Sequence, residues 1–261
     1  MKLLLTLAAL LLLNPLSPVH AQQTPNTTGI AYEKKLGGRL PSENAFTDGD
    51  GHGVRIGELF NRAPIILVFG YFHCEKLCGM TRLATLRAAQ KAGLSAGADY
   101  AFVAVSIDPE ETFDAARRAR DIDFAAASPS GATDGFHYLT GKQADIRALA
   151  DAVGYSYRDG ARSQTYVHPI GAVIVTAHGV VSSYLPGIGT SPEEMAAAIA
   201  AAAAQKIEPR ASPALLLCFD FDSSTGRYTF AIIKFLRLGV IVTALALAAM
   251  IYRELRKGAR A

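Results

Sequence analysis

The feature that most constrains the fold is an apolar run that leads into a pair of cysteines and then into a helical pattern. Residues 64–71 read PIILVFGY, a continuous apolar composition that is typical of a buried strand. Cys74 and Cys78 follow this run directly, and residues 77–93 carry apolar side chains at helical spacing. The sequence therefore predicts that a buried strand turns into a helix at a CxxxC motif.

The alternation of strand and helix continues beyond this junction. Residues 100–107 predict a second buried strand, and Asp108 opens a predicted helix over 109–121 with acidic residues in its first turn. The rest of the pattern predicts a strand over 137–139, a helix over 142–153, a hairpin of strands 167–176 and 180–184, and a helix from Ser191 to about residue 206. With an N-terminal hairpin over 45–60, this order is typical of an α/β, thioredoxin-like domain, a central mixed sheet flanked by helices.

The first residues predict export from the cytoplasm. Lys2 precedes an apolar run over 3–13, a Pro-containing break and small residues that end at Ala21. This layout is typical of a cleaved signal peptide, and the apolar run is short for the alternative, an N-terminal membrane anchor. We therefore expect residues 1–21 to be removed and residues 22–41 to form an extended leader.

A second apolar stretch lies near the C-terminus. Residues 238–252 are almost entirely apolar, and the stretch is long enough to cross a bilayer if the preceding residues contribute and Lys234 and Arg237 extend toward the membrane surface. A basic end follows, as is usual on the cytoplasmic side. We expect a juxtamembrane linker over 208–229, a transmembrane helix over 230–252 and a cytoplasmic tail over 253–261; a buried soluble helix is the alternative.

These segments leave one exported domain, predicted over 42–207. We expect a single-pass protein of a bacterial cytoplasmic membrane, with this domain on the periplasmic side. The net charge is +3, and the sequence has no basic stripe with interleaved aromatic residues, so nucleic acid is not expected as a partner. The chain has three cysteines, two of them in one motif, which favours a redox or metal site over a disulfide framework.

The spacing of Cys74 and Cys78 suits two kinds of chemistry. Side chains four residues apart lie on one face of a helix, so these thiols can bind one soft metal ion or form a disulfide after a local adjustment. A helix N-terminus, the position expected for Cys74, favours the thiolate through its unpaired backbone N–H groups. Two thiolates suit Cu(I), and an added imidazole gives a ligand set that also accepts Cu(II).

Five histidines remain once His20 leaves with the signal peptide. His168 is the best candidate ligand, because it lies at the start of an apolar strand and on a loop that faces the cysteine-bearing helix in a thioredoxin-like domain; the alternative is a buried structural histidine. His73 adjoins Cys74, but adjacent side chains diverge, so His73 is expected to tune the thiol. The other three are expected to be solvated: His52, His137 and His178.

Four motifs in order resemble the pattern of one known family. VFGYFHCEKLC is similar to the strand and CxxxC motif of the family, VAVSIDPEET to its S-x-D-P segment, and YVHPIGAVIV to its histidine strand, while FHYLTGKQADIRALADAVGYSY is similar to the segment between them. The family that these motifs resemble is SCO/SenC, and the resemblance covers residues 40–188. It implies a thioredoxin-like fold and a role in copper delivery during cytochrome c oxidase assembly. It also implies copper, as Cu(I) or Cu(II), bound by Cys74, Cys78 and His168, with the two cysteines able to cycle between dithiol and disulfide.

The chain departs from the family pattern at three places. Gly79 stands where Pro is usual, Pro169 stands where a small hydroxylated residue is common, and residues 108–112 are one residue shorter than the common form. The three implied ligands are intact. Within the short segment, Asp108 is expected to support the site or to dock a partner, or alternatively to cap the following helix.

Two functions from different classes use the same residues. The first is a membrane-anchored copper chaperone that delivers copper to the binuclear copper site of a cytochrome c oxidase subunit. The second is a thiol-disulfide oxidoreductase that reduces the cysteines of that subunit before the metal enters, so the sequence leaves open whether the protein is an enzyme. A peroxidase-like use of Cys74 is not favoured, because the T-x-x-C signature is absent. Cys218, beside the predicted membrane helix, is either a redox or copper-relay partner or incidental.

Overall fold

The computed structural model describes residues 32–73, 78–160, 166–209, 219–222 and 227–230, together with Thr243 and Leu247. The predicted signal peptide, the first part of the leader, the basic tail, Cys74 and Cys218 lie outside these residues, and so does the predicted membrane helix apart from Phe230, Thr243 and Leu247. In the part of the chain that is described, no helix has the length and apolar character needed to cross a membrane.

The elements in this part of the chain follow the predicted alternation. The strands are β1 Ala45–Thr47, β2 Gly53–Arg55, β3 Ile65–Gly70, β4 Ala101–Ser106, β5 Phe136–Gly141, β6 Arg158–Asp159, β7 Tyr166–Val167, β8 Gly171–Val175, β9 Val181–Pro186, β10 Phe219–Asp222 and β11 Arg227–Phe230. The α-helices are α1 Cys78–Lys91, α2 Phe113–Ala127, α3 Gln143–Ala152 and α4 Pro192–Ala203. Short 3-10 helices cover Ile56–Leu59 and Thr133–Gly135.

One mixed sheet organises the domain. Its seven strands lie in the order β2-β1-β5-β4-β3-β8-β9. The central strands β3, β4 and β5 are parallel, whereas the hairpins β1–β2 and β8–β9 pair antiparallel to them at the two edges. The sheet and its helices confirm the predicted α/β class and both predicted hairpins. The pairs β6–β7 and β10–β11 are separate two-stranded sheets. The pair β10–β11 lies in the predicted juxtamembrane linker except for Phe230, the first residue of the predicted membrane helix, which is in a strand.

The two central strands are apolar throughout because both of their faces are covered. Every residue of β3 and β4 is buried. One face packs on α1, α2 and α4, for example on Leu86 and Ile199. The other face packs on α3 and the N-terminal hairpin, for example on Leu149 and Phe46.

The helix after β4 does not begin where the sequence predicted it. It runs from Phe113 to Ala127 with Thr112 at the N-cap position. Asp108 instead closes a turn, because its Oδ1 accepts a hydrogen bond from the Glu110 N–H at 2.9 Å. The capping alternative for Asp108 is therefore wrong, and Glu110 and Glu111 precede the helix rather than fill its first turn.

The predicted strand over 167–176 is divided into two. Tyr166–Val167 pairs with β6, and the sheet strand starts again only at Gly171. Pro169 has no N–H to donate to a ladder. Gly171 has a φ of 138°, and a Cβ there would lie 2.5 Å from the Leu185 carbonyl oxygen, so the chain can rejoin the sheet at this point only with glycine. His168 thus lies in the short segment between β7 and β8.

Two further predictions concern the last helix and His137. Ser191 is the N-cap of α4, and its side chain accepts a hydrogen bond from the Glu194 N–H while the Glu194 carboxylate accepts one from the Ser191 N–H, as in a capping box. The prediction for this helix start is confirmed. His137 lies within β5 and is partly buried, and its loss of solvent lowers its pKa, so the expectation that it is solvated is wrong. His52 and His178 are exposed as expected.

The second part of the predicted leader packs on the domain. Arg39 forms a bridge with Val180, and the Gly37 N–H donates a hydrogen bond to the Val181 carbonyl. Leu40 is buried in the core. These contacts cover part of the outer edge of β9, which would otherwise present unpaired backbone groups.

Candidate metal centre

Three chain segments meet at one edge of the sheet. Because β3 and β8 are antiparallel neighbours, with Leu67 opposite Val173, the end of β3 lies beside the start of β8. Because β3 and β4 are parallel, with Gly70 opposite Ser106, their ends lie at the same edge. The chain that leaves β3 leads to the cysteine pair, and the chain that approaches β8 contains His168. The topology therefore brings the segment that precedes Cys74 and the segment that contains His168 to the same edge of the sheet.

His168 lies against the segment that precedes the cysteines. Its ring centroid is 6.0 Å from that of Tyr71 and 6.1 Å from that of Tyr155. Tyr71 is the first residue after β3 and lies three residues before Cys74. Tyr155 is almost fully buried and stacks on Phe69 of β3, with 4.6 Å between their centroids. The His168 ring is thus fixed between the core and the chain that leaves β3.

The hydrogen bonding of His168 identifies its tautomer. Nδ1 lies 2.9 Å from the carbonyl oxygen of Pro169. Because a carbonyl oxygen only accepts, Nδ1 carries the hydrogen and the lone pair is on Nε2. Burial lowers the pKa of His168, while the hydrogen bond to Pro169 acts in the opposite direction. A lowered pKa favours the neutral imidazole, which is the form that binds metal ions.

Asp108 joins the loop after β4 to the strand before His168. The Tyr166 hydroxyl donates a hydrogen bond to Asp108 Oδ1 at 3.1 Å. Asp108 is buried, and desolvation followed by the charge of this carboxylate raises the pKa of Tyr166 to about 12. The Tyr166 ring also lies 5.6 Å from that of Tyr71. Asp108 therefore contacts the residue two positions before His168.

Glu111 is a site residue that sequence reasoning missed. Its side chain is 2% exposed, and its Oε1 accepts hydrogen bonds from the His73 N–H at 2.6 Å and from His73 Nδ1 at 2.8 Å. Its Oε2 accepts from the Phe72 N–H at 2.7 Å and from the Ser106 hydroxyl at 2.6 Å. The signal that points to Glu111 is its place just after a buried parallel strand, at the carboxyl edge where ligand sites of α/β sheets gather.

His73 lies at the surface beside the first cysteine. Its side chain is 63% exposed, although one ring nitrogen is hydrogen-bonded to the buried Glu111. The carboxylate fixes the ring orientation, with Nδ1 as the donor. The structure thus ties His73 to the loop after β4, and it does so through both the backbone and the side chain.

The cysteines themselves lie at the limit of the described chain. Cys78 is the first residue given for α1, while its side chain and the whole of Cys74 are outside the described residues. Among the described side chains, no group of three or more histidines, cysteines, aspartates and glutamates is placed to hold a metal ion. Of the three predicted ligands, the described side chains include His168.

A buried ion pair anchors the helix that begins at Cys78. Arg82 Nε donates to Asp123 Oδ2 at 2.7 Å, and the Tyr138 hydroxyl donates to the same oxygen at 2.9 Å. Arg82 is 6% and Asp123 2% exposed. The guanidinium carbon of Arg82 also lies 5.4 Å from the ring centroid of Phe72. Arg82 is four residues after Cys78, so its position is on the same face of α1. Sequence reasoning did not identify this pair.

Comparison with known proteins gives the family and the fold. The sequence pattern of the family described as SCO1/SenC matches residues 35–204. A crystal structure from Aquifex aeolicus VF5, described as that of a candidate electron transfer protein, is 21% identical with a TM-score of 0.57, covering 65% of this chain and 95% of that chain.

Two Sco structures align over a similar range. Arabidopsis thaliana ScoI with copper bound is 19% identical with a TM-score of 0.51, covering 65% of this chain and 98% of that chain. BsSco, described as a member of the Sco family of cytochrome c oxidase assembly proteins with a disulfide switch, is 19% identical with a TM-score of 0.51, covering 66% and 98%. The mixed sheet with its flanking helices fits their thioredoxin-like fold. No curated protein matches the chain by sequence.

Proposed function

Because the chain belongs to the SCO1/SenC family, we propose that it is a copper chaperone of cytochrome c oxidase assembly. It binds copper through Cys74, Cys78 and His168 and passes the ion by ligand exchange to the binuclear copper site of an oxidase subunit. The observation that carries the proposal is the contact of His168 with Tyr71, at 6.0 Å between ring centroids, three residues before Cys74.

The residues suit copper in their chemistry. Thiolates are soft ligands that favour Cu(I), and an imidazole nitrogen extends the set to Cu(II). The neutral His168 ring with its lone pair on Nε2 is in the state that a ligand needs, and the Pro169 carbonyl fixes that tautomer. A protein with the same fold, Arabidopsis thaliana ScoI, has a structure with copper bound.

The surface near the ligand segments supports docking of a protein partner. Met80, two residues after Cys78, is 46% exposed, and Ile188 is 42% exposed. Ile188 follows Gly187, whose N–H donates to the carbonyl of Ile170, two residues after His168. Apolar side chains exposed singly are ordinary on a protein surface, so the docking role proposed for these two rests on their places in the chain near the ligand segments. They would lie beside both ligand segments during transfer to the oxidase subunit.

The same cysteines support a second candidate function, thiol-disulfide exchange. BsSco, which shares the fold, is described as carrying a disulfide switch. In this function Cys74 and Cys78 give two electrons and two protons to a disulfide of the oxidase subunit, which becomes a dithiol while Cys74 and Cys78 form the disulfide. Whether the protein acts mainly as an enzyme or as a chaperone depends on which of the two steps assembly requires.

The proposed location follows from the two ends of the sequence. Residues 1–21 direct export as a signal peptide, and residues 230–252 hold the domain on the periplasmic side of a bacterial cytoplasmic membrane. Protease treatment of intact cells whose outer membrane has been opened tests this directly. The domain is expected to be digested while an epitope after residue 253 survives; protection of the domain would contradict the proposed orientation.

Copper titration of the purified full chain in detergent tests the main proposal. The wild-type protein is expected to bind about one equivalent with thiolate-to-copper charge-transfer absorption. His168→Ala should weaken binding strongly, whereas His178→Ala, at an exposed histidine bonded to Asn61, should not. Unchanged copper binding in His168→Ala would show that the three-ligand site is wrong. Loss of binding with normal oxidase assembly in cells would favour the reductase function.

A further inference from the structure

The carboxylate of Glu111 is buried at the junction between β3 and α1, and none of the steps proposed above uses it. Its side chain is 2% exposed and belongs to the loop between β4 and α2. A buried carboxylate is costly unless hydrogen bonds replace its lost water. Here four donors surround two oxygens at 2.6–2.8 Å, in the range of charge-assisted hydrogen bonds.

Two of the four donors are backbone groups of the chain that leads to the cysteines. The ladder between β3 and β4 ends at Gly70 and Ser106. After Tyr71, the N–H groups of Phe72 and His73 each donate to a different oxygen of Glu111. Beyond the end of the strand ladder, the backbone of this segment is therefore hydrogen-bonded to the Glu111 carboxylate.

The other end of this contact is rigid. Ser106 is fully buried at the end of β4, and its hydroxyl donates to Glu111 Oε2. The Ile107 N–H donates to the Gly70 carbonyl at 2.8 Å, so the two strand ends are also joined directly. His73 is bonded covalently to Cys74, which places their Cα atoms about 3.8 Å apart. Glu111 thus fixes the backbone up to His73, the residue that precedes Cys74.

We propose that Glu111 is a positioning residue for the cysteine pair. It fixes the direction in which the chain leaves β3, and through this it sets the geometry in which Cys74 and Cys78 bind copper or form a disulfide. The copper part of this inference rests on the proposed function, whereas the disulfide part does not. Adjacent Glu110 is exposed and does not contact the Phe72–His73 segment in this way, so it provides a matched control.

The test compares Glu111→Gln with Glu110→Gln in the full chain. A glutamine at 111 has one acceptor oxygen, so it cannot accept from both backbone N–H groups through different oxygens. We expect copper affinity to fall by about 10- to 100-fold in Glu111→Gln, as is usual when a group that orients a ligand is lost. Glu110→Gln should bind copper like the wild type.

A second readout needs no copper. In a glutathione buffer, Cys74 and Cys78 lose two electrons and two protons to oxidised glutathione, which becomes two thiols as the protein disulfide forms. The equilibrium constant for this reaction is expected to fall in Glu111→Gln, because a less fixed segment brings the two thiols together less often. A purely structural role would lower the unfolding temperature without changing this constant for the folded protein.

The outcomes separate the inference from the proposed function. If wild-type protein binds copper and Glu111→Gln matches it in both affinity and exchange equilibrium, the inference is overturned and the chaperone proposal stands. If wild-type protein does not bind copper but the exchange equilibrium shifts in Glu111→Gln, the chaperone proposal fails and the positioning role stands. If Glu111→Gln does not fold, Ser106→Ala removes one of the four donors; a smaller shift in the same direction supports the inference, and no shift overturns it.

Discussion

The cysteine side and the histidine side of the candidate site are held by different forces. On the cysteine side, charged groups hold the chain: Glu111 binds the segment after β3, and the Arg82–Asp123 ion pair binds α1. On the histidine side, His168 lies among aromatic rings, and its contacts with Pro169 and Tyr155 are neutral. Both sides lie at the same edge of one sheet.

The difference predicts how each side responds to mutation. Hydrogen bonds to a carboxylate are directional, so losing one moves a short segment without removing much apolar contact. Aromatic rings that stack on the core contribute buried area, so changing them alters the stability of the whole domain. We therefore expect the Glu111 contact to govern site geometry and the tyrosines around His168 to couple the site to global stability.

The largest expected effect comes from the ion pair behind the cysteine helix. Arg82→Met leaves Asp123 buried without its charge partner, so the free energy of unfolding should fall by about 3–5 kcal/mol. Adding Asp123→Asn removes the unpaired charge and keeps an acceptor for the Tyr138 hydroxyl, so the double variant should recover more than half of that loss. Urea unfolding followed by circular dichroism measures both values.

A matched control for this prediction is Arg87→Met on the same helix. Arg87 is exposed and donates to the Ala126 carbonyl at 3.0 Å, so its replacement should cost within about 0.5 kcal/mol. An Arg82→Met cost no larger than this would mean that charge does not anchor α1. The contrast between the two sides of the site would then be lost.

The next effect concerns the histidine side. The Tyr155 hydroxyl donates to the Pro169 carbonyl at 3.2 Å, the same oxygen that accepts from His168 Nδ1. Tyr155→Phe keeps the ring and its stacking on Phe69 but removes this bond, which should cost about 1 kcal/mol of unfolding free energy. Copper affinity should fall in the same variant. Thermal unfolding and copper titration of one preparation give the two numbers.

The two sides of the site can be distinguished by comparing the loss of unfolding free energy with the loss of copper affinity in each variant. In Tyr155→Phe, stability and affinity should fall together, whereas in Glu111→Gln affinity should fall more than stability. If Tyr155→Phe loses copper affinity with unchanged stability, the contacts on the histidine side affect only the site, as the Glu111 contact is expected to do on the cysteine side. The distinction between packing and charge would not then describe this site.

The elements that the sequence predicted well are those with a local physical cause. β3 and β4 are continuous apolar runs because both faces of the sheet are covered, and Ser191 with Glu194 forms a capping box that marks the start of α4. His168 lies just before the apolar strand β8, as its sequence context indicates, while its role as a ligand stays a prediction. Each of these signals is contained within a few neighbouring residues.

The features that the sequence did not predict depend on distant partners. The sequence predicts Glu111 to be one of the acidic residues in the first turn of a helix, but its donors come from residues 72, 73 and 106. Arg82 pairs with Asp123, 41 positions away along the chain. Helical spacing shows which face of a helix a charged residue occupies. Only the packing of α1 on α2 shows that this face meets a residue of opposite charge.

A smaller effect is expected at the contact between Asp108 and Tyr166. Tyr166→Phe removes the hydrogen bond of 3.1 Å to Asp108 Oδ1 and leaves the ring contact with Tyr71. Because Asp108 Oδ1 keeps its hydrogen bond from the Glu110 N–H, the carboxylate is not left without a donor, and the cost should be about 0.5 kcal/mol. Tyr184→Phe, which removes a hydroxyl that donates to the Val153 carbonyl, serves as the control for loss of a phenol hydroxyl away from His168.

Copper affinity separates these two tyrosine variants. Tyr166 lies two residues before His168, so Tyr166→Phe should weaken copper binding more than Tyr184→Phe does. Equal affinities would show that the hydrogen bond between Asp108 and Tyr166 does not influence copper binding.

The smallest expected effect is on the pH dependence of the unfolding free energy. It tests whether His168 is buried as part of the folded core. Burial lowers the pKa of His168 and of His137 in the folded state, below the ordinary value of about 6.5 that applies when the chain is unfolded. As pH falls through that value, the unfolded chain binds protons that the folded protein resists, so the free energy of unfolding decreases. Above it both states are neutral and this contribution is fully present.

Replacing each histidine by glutamine separates the two contributions. The fall in unfolding free energy between about pH 7 and pH 5 should be smaller in His168→Gln and in His137→Gln than in the wild type, and smallest in the double variant. Urea unfolding of the copper-free protein at each pH measures it. His137 lies in β5, away from the site, so its variant shows what burial in the sheet alone contributes. If the unfolding free energy of His168→Gln depends on pH as strongly as that of the wild type, His168 gains protons as readily in the folded state as in the unfolded one. Burial in the core would then not distinguish the histidine side of the site from the cysteine side.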